Sequence, residues 1–195
     1  MKKLYCFDFD GTLTHGDTMF LFLKFYNPAK FRWQFLRHIP LFILLKLKLA
    51  QTEKVKKSFV GSILKGQPQH KLEQKSKIFF DEYFSKIMRQ NALDFLAQRD
   101  LQNTESLLVT ASLDIWAKHF ADKLNMKLVS TRGEIKNGVF TGNFIGKNCN
   151  GDEKLICIKK EIEGKKYDKI IAFGDTSGDR AMLKWADEGH YRFFH

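Results

Sequence analysis

Three short, unbroken apolar runs, Leu4-Tyr5-Cys6-Phe7, Leu107-Leu108-Val109 and Ile170-Ile171-Ala172-Phe173, each stop at a polar cluster. Continuous rather than alternating hydrophobicity marks strands that are covered on both faces, as in a parallel sheet. Helical periods separate the later runs. Ile115, Trp116, His119, Phe120 and Leu124 repeat on one helical face, and a further helix is expected from about Asp152 to Glu163. Strand and helix in alternation give an α/β fold, a Rossmann-like, doubly wound parallel sheet. Asn137-Gly138 between short runs adds a tight hairpin.

About ninety residues separate the first run from the second, far more than one crossover helix needs, and they read as helical. Phe79, Phe80, Tyr83, Phe84, Ile87 and Met88 form an amphipathic stripe. Pro28, Pro40 and Pro68 are expected to divide the insertion into several helices, because a proline inside a helix removes a hydrogen bond and clashes with the preceding turn. The implied organisation is a core domain of residues 1–16 and 101–195 carrying an inserted helical cap of residues 17–100. A chain of 195 residues that is 44% hydrophobic has the material for one sizeable core, which excludes a disordered chain. Cys6, Cys149 and Cys157 are odd in number and form no CxxC pair, so a reducing compartment is expected. Met1-Lys2-Lys3-Leu4 runs straight into the first strand without a signal-peptide pattern, and a cytoplasmic location follows as the expectation.

The net charge of +11 is unevenly spread: Thr18 to Val60 holds nine Lys/Arg and one acid, Glu53. Such a segment suits an acidic partner, whether nucleic acid, an anionic membrane surface or a phosphorylated substrate; a solubilising face is the plain alternative. Within it, Ile39-Pro40-Leu41-Phe42-Ile43-Leu44-Leu45 is too short to span a bilayer. It reads either as a core helix of the cap or as a basic amphipathic element on a bilayer surface, with Leu41, Phe42 and Leu45 inserted.

The chemistry lies in the polar clusters. Asp8-Phe9-Asp10-Gly11-Thr12, Thr110-Ala111-Ser112 and Gly174-Asp175-Thr176-Ser177-Gly178-Asp179 each follow an apolar run. Ligands of open parallel sheets bind beyond the carboxyl ends of the strands, so these segments are expected to converge. Asp8, Asp10, Asp175 and Asp179 brought together repel unless a cation sits among them, and oxygen-only ligands select Mg²⁺. The histidines lack HxH or HExxH spacing, which argues against zinc. A calcium loop counted from Asp8 would need Glu where Met19 stands.

Asp8-Phe9-Asp10-Gly11-Thr12, then Thr110, then Lys154, then Gly174-Asp175 with Asp179, in order and spanning the core, resemble the motifs of the haloacid dehalogenase superfamily phosphatases, in their phosphoserine phosphatase-like branch. The resemblance implies a nucleophile at Asp8 and a general acid and base at Asp10. It implies Mg²⁺ held by Asp8, the Asp10 carbonyl and Asp175, with Asp179 orienting metal-bound water or Lys154 from behind. Phosphate would be bound by Thr110, Ala111 and Lys154, with Lys147, Lys159 and Lys160 as alternatives to the last.

The substrate is less determined. Phosphoserine phosphatases carry a glycine pair after the second motif and a Glu and an Arg in the cap. Here Ala111-Ser112 follows Thr110, Asp17 stands near the place of the Glu, and Arg32 and Arg37 are the available arginines; Asp17, Ser112, Arg32 and Arg37 are therefore the substrate-selecting candidates. The apolar, basic stretch from Phe31 to Leu49 is similar to that of bacterial phosphatidylglycerophosphatases of the C type. That likeness implies a lipid head-group phosphate as substrate and peripheral contact with the inner face of an anionic membrane. A small soluble phosphomonoester such as phosphoserine is the alternative. A basic binding module for nucleic acid or membrane with a structural metal is the alternative of another class, and the intact motif set argues against it.

Overall fold

The computed structural model describes residues 2–195. A six-stranded sheet in the order β4-β3-β2-β1-β5-β6 forms its centre. Its strands are β1 (Lys3–Asp8), β2 (Thr104–Leu113), β3 (Lys127–Lys136), β4 (Val139–Ile145), β5 (Lys169–Gly174) and β6 (Glu188–Tyr191). All neighbours run parallel except β3 and β4, which form an antiparallel hairpin. Asn137 and Gly138 make its turn with φ of 51° and 72°, the left-handed pair that a two-residue hairpin turn demands.

Alternation along the strands explains why the apolar runs are continuous. Leu4, Cys6, Leu107, Val109 and Ala172 face one side, where they pack with Ile158 of α7 (Asp152–Glu161) and Met182 of α8 (Arg180–Trp185). Phe7, Leu108, Ile171 and Phe173 face the other and join a second apolar cluster. Both faces are covered, as a doubly wound sheet requires. The helix expected to reach Glu163 stops at Glu161, and Gly164 follows with φ of 76°.

The chain between β1 and β2 is helical: α1 (Thr18–Tyr26), α2 (Pro28–Lys46), α3 (Thr52–Leu64), α4 (Gln69–Ile87) and α5 (Gln90–Ala97). Pro28 opens α2, behind an Asn27 side chain that accepts from the Lys30 N–H at 2.9 Å, and Pro68 caps α4. Pro40 does not divide anything: α2 runs through it. Leu36, whose carbonyl loses its partner, and Pro40 are both exposed, so the freed acceptor lies on a side of the helix open to solvent.

The α4 stripe packs on α6 (Asp114–Lys123), with Phe79, Phe80 and Phe84 around Phe120. In α5, Phe95 lies edge-on to Phe7 and Phe173 of the sheet. The inner side of α2 presents Phe31, Phe35, His38 and Phe42 to Phe59 of α3. That arrangement corrects one expectation. Phe42 and Leu45 line a cavity, whereas Ile39, Pro40, Ile43 and Leu44 are the exposed members of the apolar window. Among the described residues no helix is long and apolar enough to cross a membrane.

Candidate active site

The strand order reverses at β1, which has β2 on one side and β5 on the other, and the crevice at such a switch point is where an open α/β sheet binds ligands. The polar clusters converge there. Asp8 is the last residue of β1, Asp175 follows β5, and Asp179 ends the 3-10 turn Ser177–Asp179. Thr110, Ala111 and Ser112 do not follow β2 but lie within it, where its pairing with β3 becomes irregular between Thr110 and Leu113.

Lys154, on the first turn of α7, is fully buried and holds Asp8 and Asp179 together, with Nζ 2.5 Å from one oxygen of each. Burial alone would lower its ammonium, but the two carboxylates more than reverse this and hold it above the usual lysine range. Lys147, Lys159 and Lys160 are exposed and take no part. The other oxygen of Asp179 accepts from the Asp175 N–H at 3.2 Å, the Thr176 N–H at 2.9 Å and the Thr176 hydroxyl at 2.9 Å. Both oxygens are thus occupied, and Asp179 serves to fix Lys154 and the loop carrying Asp175.

Burial pushes the Asp8 carboxyl up to about 7; the Lys154 ammonium opposes the rise, while Asp179 and Asp10 add to it. An additional positive charge is therefore favourable beside Asp8. Asp8, Asp175 and Asp179 each offer an oxygen, and these lie within 4.8 Å of one another. A set of hard oxygen donors around a carboxylate short of countercharge fits Mg²⁺. Asp8 and Asp175 are the members that would carry it: they share only the Thr12 hydroxyl, at 2.8 Å and 3.1 Å respectively, whereas one oxygen of Asp179 is saturated by three donors of the loop. Gly11 belongs to the same geometry. Its φ is 89°, and a Cβ there would lie 2.5 Å from the Asp175 carboxylate, so the turn after Asp10 excludes any side chain.

Asp10 is held by hydroxyls. One oxygen accepts from the Thr18 N–H at 2.7 Å and the Thr18 hydroxyl at 2.6 Å; the other accepts from Thr110 at 3.1 Å and Ser112 at 2.7 Å. Trp116 Nε1 donates to the Thr18 hydroxyl at 3.1 Å, which ties α6 to the site. Ser112, expected to select substrate, thus positions Asp10. The Asp17 carboxylate caps α1 through the Met19 N–H at 2.8 Å and also lines the cavity.

Arg32 and Arg37 do not reach the site: both are exposed on α2, because the cavity-facing side of that helix is taken by Phe42 and Leu45. The cation from the helical segment is instead Lys56 of α3, whose Nζ donates to the Ala111 carbonyl and, at 3.0 Å, to Asn148 Oδ1. Burial lowers Lys56 to about 8 against the opposing pull of Asp10 and Asp17. Sequence reasoning missed Lys56, which stands among eight other basic residues without a distinguishing motif. It missed Asn148 as well, and Thr18, whose only visible trait was its place after Asp17. The cavity that joins these groups has a volume of about 310 Å³. Asp8, Asp10, Lys154 and Lys56 lie at its polar end, and Phe20, Phe42, Leu45 and Phe59 form apolar walls.

A family model for haloacid dehalogenase-like hydrolases matches residues 6–184, from β1 to α8. Protein CicA of Caulobacter vibrioides is 33% identical over 193 residues, covering 98% of this chain and 86% of its own. A Bordetella pertussis Tohama I protein has a similar structure, with a TM-score of 0.82, 17% identity and coverage of 95% of this chain and 87% of the other. A phosphoserine phosphatase structure with a phospho-aspartyl intermediate analogue gives a TM-score of 0.62 and 23% identity, covering 95% of this chain and 83% of the other. With its carboxylates, lysine and threonine gathered at the switch point of the shared fold, the chain belongs to the haloacid dehalogenase-like hydrolase family.

Proposed function

We propose that the protein is an Mg²⁺-dependent phosphomonoester hydrolase that works through an aspartyl-phosphate on Asp8. The observation that carries this reading is the Asp8–Lys154–Asp179 arrangement, whose Asp8 and Lys154 line the cavity together with Asp10. An oxygen of the Asp8 carboxylate attacks phosphorus, and the bond to the leaving oxygen breaks. Asp10 donates the proton that the leaving alcohol takes up, then removes one from the water that cleaves the aspartyl-phosphate. Thr18, Thr110 and Ser112 keep its carboxyl in place for both transfers. Lys154 balances charge on the phosphoryl oxygens, and the Thr110 hydroxyl donates to one of them once substrate draws it from Asp10. Mg²⁺, held by Asp8, Asp175 and the Asp10 carbonyl, would offset repulsion between the carboxylates and the incoming phosphate.

The apolar walls favour a lipid head-group phosphate such as that of phosphatidylglycerophosphate. Phe20, Phe42 and Leu45 would be poorly matched to the ammonium and carboxylate of phosphoserine, the second reading, which the phosphoserine phosphatase-like fold supports. Peripheral contact with an anionic membrane surface belongs with the lipid reading, and a nucleic-acid partner does not. The helices of residues 17–100 are proposed to act as the cap that selects substrate, since Lys56, Phe42 and Leu45 come from them. Phosphate release from phosphatidylglycerophosphate, phosphoserine and short-chain phosphomonoesters, measured side by side with Mg²⁺, tests the reading. Preference for phosphoserine overturns the substrate, and no turnover of any overturns the reaction.

Two expectations follow. Mg²⁺ at about 100 times its dissociation constant stabilises the fold by about 2.7 kcal/mol, an increase that thermal melts detect and chelation reverses together with turnover. A melting curve indifferent to Mg²⁺ removes the metal from the account. Lys56 faces Asp10, Asp17, Cys149 and Lys154, and Glu53 lies one turn before it on α3. Its ammonium prevails below about 8 and is lost above. KM for an anionic lipid phosphate therefore rises as pH passes through that value, and Lys56→Arg abolishes the rise. Lys56→Met raises KM by about tenfold at neutral pH with kcat within a few-fold. Equal pH profiles for Lys56→Arg and the parent show that Lys56 does not bind substrate.

A further inference from the structure

The outer face of α2 is apolar without covering. Trp33 is 61% exposed, Leu36 61%, Ile43 54% and, just past the helix, Leu47 60% and Leu49 72%. Trp33, Leu36, Ile43 and Leu47 stand at i, i+3, i+10 and i+14, a single stripe, and the inner stripe Phe31, Phe35, His38, Phe42 is the one that packs on α3. Isolated exposed apolar residues need no explanation, but an aligned row of large ones does. The charges around it have one sign. From Thr18 to Thr52 there is no Asp or Glu, while Lys30, Arg32, Arg37, Lys46 and Lys48 lie on α2 or directly after it. Repulsion among these cations disfavours a second copy of the same face, and the pairing of apolar stripe with cations on long stems matches lipid tails below anionic headgroups.

We infer that the outer stripe of α2 is a docking face for an anionic phospholipid bilayer, and that docking sets the mouth of the catalytic cavity against the lipid surface. The second part rests on the lipid reading of the substrate. Its structural basis is that α2 is one helix thick between the two environments: Phe42 and Leu45 line the cavity, and Ile43 and Leu44 beside them face out. A lipid with its phosphate at Asp8 would then have Phe42 and Leu45 of α2 beside its apolar part, on the same helix that meets the bilayer. Trp33 and Leu36 enter the acyl boundary, and the lysines and arginines reach back to the headgroups. The face differs from that expected from sequence, because Phe42 and Leu45 stay with the cavity.

The test uses the full chain with vesicles of phosphatidylcholine alone and of phosphatidylcholine with phosphatidylglycerol. Trp33→Asp combined with Leu36→Asp alters exposed residues that do not line the cavity, so turnover of a soluble aryl phosphate is retained and reports that the fold is intact. The parent is expected to sediment with the anionic vesicles at low salt, with a blue shift in Trp33 emission that Trp33→Phe removes. The double variant is expected to bind about a hundredfold more weakly. Hydrolysis of phosphatidylglycerophosphate in vesicles falls with it, while hydrolysis of a short-chain phosphomonoester does not.

Absence of vesicle binding, binding unaffected by the double variant, or parent dimers that the double variant dissolves each overturn the docking face. The last assigns the stripe to a second copy. The two readings separate cleanly. Vesicle binding without hydrolysis of the lipid phosphate leaves the docking face standing and removes the substrate. Hydrolysis of that lipid in detergent without vesicle binding does the reverse.

Discussion

Asp8→Asn is expected to lower phosphomonoester turnover by at least about 10⁴-fold, because an amide oxygen cannot attack phosphorus and no neighbouring carboxylate occupies its position. The loss comes without unfolding. Asp8 is buried and its carboxyl is pushed up to about 7, chiefly by burial, so an uncharged side chain of the same shape relieves that burial cost while Lys154 keeps its pair with Asp179. In the presence of chelator the variant therefore melts no lower than the parent, and the stabilisation by Mg²⁺ shrinks. Activity assays and melts on the same preparation check both halves. Retained turnover would place the nucleophile elsewhere; a melt lowered together with activity would make Asp8 a structural residue only.

Lys154→Met has the second large effect, and it acts on the fold as well as the chemistry. Lys154 is 2% exposed and lies between Asp8 and Asp179, so removing its ammonium leaves two buried carboxylates facing each other. Breaking a buried pair of this kind costs about 3–5 kcal/mol. For a chain of this size that lowers the melting midpoint by about 10 °C, and turnover is lost because phosphoryl charge is no longer balanced. Adding Asp179→Asn to Lys154→Met removes one of the stranded charges and recovers part of the stability without recovering turnover. Strictly additive losses in that double variant would contradict the coupling.

The sheet was legible because its strands are buried on both faces. Leu4 to Phe7 and Ile170 to Phe173 read as continuous apolar runs, and the structure divides each between the two faces by simple alternation. The carboxylates were legible because they end these runs. Helix boundaries around proline were not: Pro40 sits within α2, since an exposed carbonyl loses little when water replaces its partner. Which side of α2 faces inward was also hidden. Both of its faces are apolar, so hydrophobicity alone does not separate Phe42, which meets Phe59, from Ile43, which meets solvent. Lys56 was invisible for a related reason. A cation reaching the site from α3 looks, in sequence, like any of the basic residues around it, whereas Arg32 and Arg37 stand on the exposed side of α2.

The central claim, that the phosphoryl group passes through Asp8, is tested most directly by acid quenching during turnover of a phosphomonoester with Mg²⁺, followed by mass spectrometry of the digested chain. One added phosphoryl group on the peptide containing Asp8 is expected. It should be absent in Asp8→Asn and, with an aryl phosphate whose leaving phenolate needs no proton from Asp10, should accumulate in Asp10→Asn, where the water that cleaves it is no longer activated. Turnover that proceeds with no phosphorylated peptide, or with the group on a peptide lacking Asp8, would contradict the account.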